Sequence, residues 1–426
     1  MNNNTLCLYI VVMLLIGCTT DGIHQDIYTT NASIQKNNRA IRSIDDAIIV
    51  AENAASFFSN VTTRSTSNKQ GVSCKNVVPI TNSSLTRGDA GGTDTLMYIV
   101  NFIDNSGFAI VSASYDTPDL LGISEIGNFS DFDFNSPESF WVYLESLKNY
   151  IIDSENDKGH LSDKGLPITP RYTITYEVLN EVNKMIAVCW GQRNIYGEDC
   201  PNGIAGCANT AIAQIMSYYS YPQSMVIDYN DSIFNCVFDW SSMRTHIIRD
   251  DVVYPRIPAC MVADTIHAKI TKLCRQLGET AGSYYDANAT STYRYQMEDC
   301  LYYYGYANNY FSTYSQTQLV SQLDNLHPVL MTGLTADNLG HAWIVDGYKY
   351  FKVTKSYFGG EYPDEISYKY YNHINWGWDG KANGYFLANT FSTSSPLNNQ
   401  YDYASINTNY AFIQSLKIMA PYPSIN

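Results

Sequence analysis

Four short stretches carry side chains suited to nucleophilic chemistry. In "GIAGCANTAIAQIMSYYSYP", residues 203–222, Cys207 follows a glycine and leads into an alanine-rich run with Ile212, Ile215 and Met216. A helix beginning at or just after Cys207 sets the sulfur beside unpaired backbone N–H groups and the positive end of the helix dipole, which favour thiolate over thiol. Ala208, Ala211 and Ala213 keep that helix slim enough to be buried, and Tyr221-Pro222 ends it. On its own the stretch reads more readily as a packed helix holding a small core cysteine.

In "NLGHAWIVDGYKY", residues 338–350, His341 opens a run suited to a buried strand, a rigid mounting of the kind a general base needs. By itself it could be a hydrogen-bonded core histidine. In "YYNHINWGWDGKANGYF", residues 370–386, Asn375 or the indole of Trp376 could orient an imidazole and keep water from it. In "CWGQ", Gln192 stands fifteen residues before Cys207, and its amide could donate to the oxyanion of a tetrahedral intermediate. The remaining histidines (24, 160, 246, 267, 327 and 373) show no metal-ligand spacing and read mostly as surface residues.

The chain that must position these groups has 426 residues, enough for two domains with their own cores. Hydrophobic residues make up 45% and charged residues 16%, the balance of a folded protein. A formal net charge of -15 with no basic cluster argues against a nucleic-acid partner. The apolar run Leu6–Ile16 is short for a membrane span and reads as an export signal over residues 1–18. Its ending, Leu15-Ile16-Gly17-Cys18, resembles a bacterial lipoprotein box and makes Cys18 the candidate lipidation site. Membrane attachment would then be by lipid only, at the outer membrane or cell surface, with secretion after processing as the alternative. Of ten cysteines, seven crowd between residues 189 and 300, an odd number that leaves one thiol over if the rest form bridges; all could equally be free thiols.

Residues 19–44 read as a tether. The apolar spacing of Ile48, Ala51, Ala55 and Phe58 predicts a helix over 45–59, and Met97–Phe102 with Phe108–Ala113 around Asp104-Asn105-Ser106-Gly107 predicts a β-hairpin. A further helix is expected over 138–151, so residues 45–152 form a small α+β unit. The charged, proline-closed stretch 153–170 reads as an exposed linker. Residues 171–426 form the second domain, with helices after Cys207, around 261–277 and around 293–304, then strands from Pro328.

Together the four stretches resemble the streptopain family of papain-like cysteine peptidases. The resemblance lies in Trp190-Gly191-Gln192, Gly206-Cys207 through Met216, Gly340-His341-Ala342 through Asp346-Gly347, and Asn375 through Trp378 with Asn383-Gly384-Tyr385-Phe386, in that order. It extends to the hairpin segment of the first domain, which looks like the propeptide of these zymogens. The resemblance implies an α+β papain-like peptidase domain, a helical part plus an antiparallel β part, behind an inhibitory propeptide over 45–152. It makes Cys207 the nucleophile, His341 the acid/base and Gln192 an oxyanion donor, with Asn375 and Trp376 orienting and shielding the histidine. Gly340 would lie along the substrate backbone, and Ser291 in the 286–294 loop and Trp378 would border the cleft. No metal or organic cofactor is implied; the partners are protein or peptide substrates and the chain's own propeptide. Asn209 departs from the family pattern by adding a polar group to the first helical turn, where it could cap or touch substrate. The competing readings are a non-catalytic surface binding or inhibitor lipoprotein on this fold, and a Cys-His hydrolase acting on cell-wall peptides.

Overall fold

Helix α1, Ile44–Phe58, forms where the apolar spacing places it, and buries Ala47, Val50, Ala51, Ala54, Ala55 and Phe58. This is a computed structural model, and it describes residues 41–58, 72–81, 95–129, 140–158, 172–229, 232–246, 265–334, 340–358, 362–390 and 414–424. All of them fall within one compact unit, 39–426. The export segment, with Cys18, and the tether up to residue 40 lie outside the described residues.

Strand β1, Cys74–Thr81, runs through a stretch whose Ser/Thr/Asn content reads as loop. It pairs antiparallel with β2, Thr95–Phe102, which forms the expected hairpin with β3, Phe108–Ser112. Gly107, with φ 98°, is obligatory in that turn, since any Cβ there would strike the Ser124 carbonyl. Next come β4, Leu120–Ser124, and α2, Trp141–Lys158. Phe140, Leu144, Leu147 and Ile151 are all fully buried on one side of this helix, as their spacing requires. The helix continues six residues into the stretch read as linker. Glu, Lys and Asp are compatible with a helix, and the run ends at Lys158. Residues 159–171 lie outside the described residues.

The second domain begins with β5, Tyr172–Val182, followed by α3, Cys207–Tyr219, the hairpin β6–β7 (Ser224–Tyr229 and Ser232–Val237) and α4, Trp240–Thr245. Helix α5, Ile266–Ala281, precedes the short pair β8–β9 (Tyr284–Tyr285 and Thr290–Ser291) and α6, Arg294–Tyr303. After β10, Tyr306–Ala307, and β11, Ser312–Thr313, helix α7, Gln316–Asp324, leads to the strands β12, Val329–Leu334, β13, Gly340–Tyr357, β14, Glu365–Asn375, β15, Gly384–Leu387, β16, Gln414–Met419, and β17, Tyr422–Pro423.

One antiparallel sheet joins the two domains in the order β1-β2-β3-β4-β15-β14-β13-β12-β16-β11, with β5 also on β13. The seam is β4 against β15, where Ser124 faces Gly384 and Gly122 faces Phe386. Gly384 is required there, since a Cβ would fall 2.1 Å from the Ile123 carbonyl. One apolar core is shared across the seam and contains Phe58, Phe140 and Tyr143 together with Trp376, Tyr385 and Phe386. A second core lies within the helical part and packs α3 and α5 against Ala342 and Ile344 of β13. The helical part and the β part thus pack along α3 and the first residues of β13, the elements that carry Cys207 and His341. Among the described residues no disulfide forms, and no helix is long and apolar enough to cross a membrane.

Candidate active site

Cys207 is the first residue of α3 and is half-buried. Gly206 before it has φ 87°, and a side chain there would meet the Thr290 carbonyl at 2.9 Å, so only glycine lets β9 close on the helix start. The first intrahelical bond runs from Thr210 N–H to Gly206 O, 3.0 Å, so the N–H groups of the opening turn face outward around the cysteine.

The segment carrying Gln192 is stitched to α3 at two points and to the loop before it at a third. Trp190 N–H donates to Gln214 Oε1 (3.3 Å), Thr210 Oγ1 donates to Gly191 O (3.0 Å), and Ala205 N–H donates to Gln192 O (2.7 Å). Gln192 is 5% exposed, yet neither atom of its amide has a hydrogen-bond partner. A buried amide left this way costs about 1–3 kcal/mol, a cost that persists only where something else is gained.

His341 lies on β13 opposite Gly333 of β12, and its ring is buried. Its Nε2 lies 3.2 Å from the Trp376 carbonyl. A carbonyl oxygen only accepts, so Nε2 carries the proton, and in the neutral ring Nδ1 holds the basic lone pair. Burial pushes the imidazole down to about 4, against the raising effect of that carbonyl. Aromatic rings enclose it, with Trp378 at 5.1 Å and 22°, Trp343 at 5.9 Å and 19°, and Trp376 at 6.4 Å.

Asn375 serves the histidine indirectly. Its side chain donates to Val188 O (2.9 Å) and Gln214 Oε1 (2.8 Å) and accepts from Gly377 N–H, so it is the Trp376 backbone that reaches the imidazole. These bonds tie β14 to α3, and a Cβ on Gly377 would lie 3.3 Å from Thr210 Cγ2, one helical turn beyond Cys207. The thiol helix and the group holding His341 therefore meet through Gln214 and Thr210. Gln214 was legible as the lone long polar residue inside an apolar helix, although its linking role was not.

Asn383 is a second residue whose role the sequence reading missed. Its Oδ1 accepts from Trp376 N–H (3.0 Å), and its own carbonyl accepts from Glu125 N–H of the first domain (2.9 Å). Gly340 is exposed at the start of β13, Ser291 is exposed on β9 against the Gly206 turn, and Trp378 is half-buried. Asn209 is fully buried and bonds to Ala205 O and Ser283 Oγ, so it ties loops together inside the fold, out of reach of a substrate. His373, read as a surface residue, is buried between Asp346 (2.5 Å) and Glu125 (3.8 Å). Its lack of motif spacing hid this, because both partners come from distant strands. Among the described residues no group of three or more His, Cys, Asp or Glu could hold a metal ion.

The family models match in two consecutive blocks, the Spi protease inhibitor over residues 36–151 and the Peptidase C10 family over residues 190–386. The chain carries a Peptidase C10 family domain. It is a cysteine-type endopeptidase with an inhibitor-like propeptide domain. The chain is 24% identical over 347 residues to streptopain of Streptococcus pyogenes, a match covering 72% of this chain and 77% of that protein. It is 20% identical over 333 residues to the thiol protease/hemagglutinin PrtT of Porphyromonas gingivalis, covering 71% of this chain and 35% of the other. A prointerpain A fragment of Prevotella intermedia superposes with a TM-score of 0.46 and 20% identity over 77% of this chain and 96% of that one.

Proposed function

We propose that the chain is an exported zymogen that hydrolyses peptide bonds through a Cys207–His341 pair and an acyl-enzyme. Cys207 passes its thiol proton to His341 Nδ1 and the resulting thiolate attacks the carbonyl carbon, while Gln192 Nε2 and the Cys207 backbone N–H hold the oxyanion. His341 then protonates the departing amine, and it next takes a proton from the water that frees the acyl group. The observation that carries the reading is Gln192, a buried amide with no partner stitched alongside the helix that begins at Cys207. An oxyanion would supply what it lacks.

In this reading the first domain is the zymogen's inhibitor, and the cut that frees the enzyme falls within 159–171. Strand β5 starts at Tyr172 and stays paired with β13 from Tyr357 back to Tyr348, so it remains with the catalytic half. Export with lipid attachment at Cys18 rests on the sequence motif. Hydrolysis of labelled casein should vanish in Cys207→Ser together with self-processing of the full chain. A Cys207→Ser chain that still matures and cleaves casein when purified would overturn the assignment, and wild-type activity confined to muropeptides would move the substrate to the cell wall.

A further inference from the structure

The turn that follows Trp376 brings a carboxylate to the mouth of this site. Asp379 is exposed and sits on a left-handed residue, φ 55°. A methyl group built on Gly191 would fall 2.2 Å from its Oδ1, so the carboxylate lies directly against the backbone one residue before Gln192. The preceding Trp378 lies nearly parallel to the His341 ring at 5.1 Å, and its buried Nε1–H makes no hydrogen bond.

We propose that Asp379 and Trp378 form a subsite that selects a lysine or arginine side chain on the leaving-group side of the scissile bond. The inference rests on the Cys207–His341 reading above. In that chemistry the imidazole delivers its proton to the departing amine, so the residue carrying that amine lies along His341 and what is stacked on it. That neighbour is Trp378, and the next residue supplies the negative charge. Gln192, on the other flank of Asp379, marks the carbonyl end of the same bond. A cationic side chain in this corner meets a carboxylate, and its aliphatic stem packs on the indole pair, Trp376 and Trp378 being stacked at 5.1 Å and 5°. In the zymogen the aromatic wall is covered from the first domain, with Phe140 edge-on to Trp378 at 6.4 Å and to Trp376 at 6.2 Å. Release of that domain opens the corner.

The test uses the full chain, cut in the linker by an added protease, and three quenched peptides identical except for Lys, Ala or Glu immediately after the scissile bond. The Lys peptide should exceed the Glu peptide about tenfold in kcat/KM, the ratio should fall toward one in Asp379→Asn, and it should invert in Asp379→Lys. Added 0.5 M salt should compress the wild-type ratio. Fluorescence anisotropy of the same peptides on the cut Cys207→Ser chain reads binding without turnover and should rank them in the same order. Equal rates for Lys and Glu peptides, or a ratio that survives Asp379→Asn, would overturn the subsite while leaving the peptidase assignment intact. If the wild type cleaves casein but none of the peptides and the anisotropy does not favour the Lys peptide, the subsite falls; loss of casein cleavage as well would instead count against the Cys207–His341 reading.

Discussion

At the scale of single residues, burial does most of the chemical tuning. His341 is held neutral by its tryptophan cage, with its pKa at about 4 against an ordinary 6.5. An unfolded chain takes up the proton at higher pH than the zymogen does, so zymogen stability should fall as pH drops from about 6.5 to about 4, by roughly 3 kcal/mol in all. Urea denaturation across that range should show the slope, and His341→Gln should flatten it. Gln192 makes the complementary case. With its amide already buried and unsatisfied, Gln192→Ala should lower kcat by about 10²–10³ with little change in KM, as loss of an oxyanion donor does. A variant that changed KM alone would assign Gln192 to substrate binding.

At the scale of elements, the first domain is held to the catalytic sheet by a buried and a partly exposed charge cluster as well as by the β4–β15 seam. In one, Asp119 beside β4 receives Arg42, Tyr172 OH (2.5 Å) and Lys355 of β13 (2.8 Å); burial raises its pKa, yet these partners win and hold it at about 2. Asp119→Asn would strand Arg42 and Lys355 in the interior and should cost roughly 3 kcal/mol, read as a lower midpoint in denaturant. In the other, Glu125 bonds Lys184 and approaches His373, which Asp346 holds from the far side. Burial works against the charged imidazole, but the Asp346 charge and bonds to both carboxylates raise it to about 9. The stabilisation is therefore complete below about 6.5 and is lost as pH rises through about 9. Thermal melts of the zymogen between pH 7 and 10 should show that loss, and Glu125→Gln should reduce it. These contacts were invisible in the sequence because each joins residues far apart in the chain, whereas α1, the β2–β3 hairpin and α3 were legible from local spacing and turn residues.

At the scale of the whole molecule, the two domains share one sheet and one core, so maturation must pull β4 from β15 and Phe140 and Tyr143 from Trp376 and Phe386. Phe140→Ala, which empties a fully buried site, should loosen that core by about 3–5 kcal/mol and speed maturation, measured as the half-time of linker cleavage. The mature N-terminus, read by mass, should fall between residues 160 and 172; a start beyond Val182 would mean that β5 leaves with the propeptide. Sequence alone pointed to the reaction class and its candidate residues through a family resemblance, legible because the motifs that carry it are short local patterns in a fixed order. It also determined which helical faces are apolar. Only the tertiary structure decided that the Trp376 carbonyl holds the imidazole while Asn375 braces the cysteine helix, that Gln192 is sealed in without a partner, that His373 is buried between two carboxylates, and that inhibitor and enzyme complete a common sheet. Those outcomes depend on which distant strands pair and on what they exclude from water, and neither is set by residues that are neighbours in the chain.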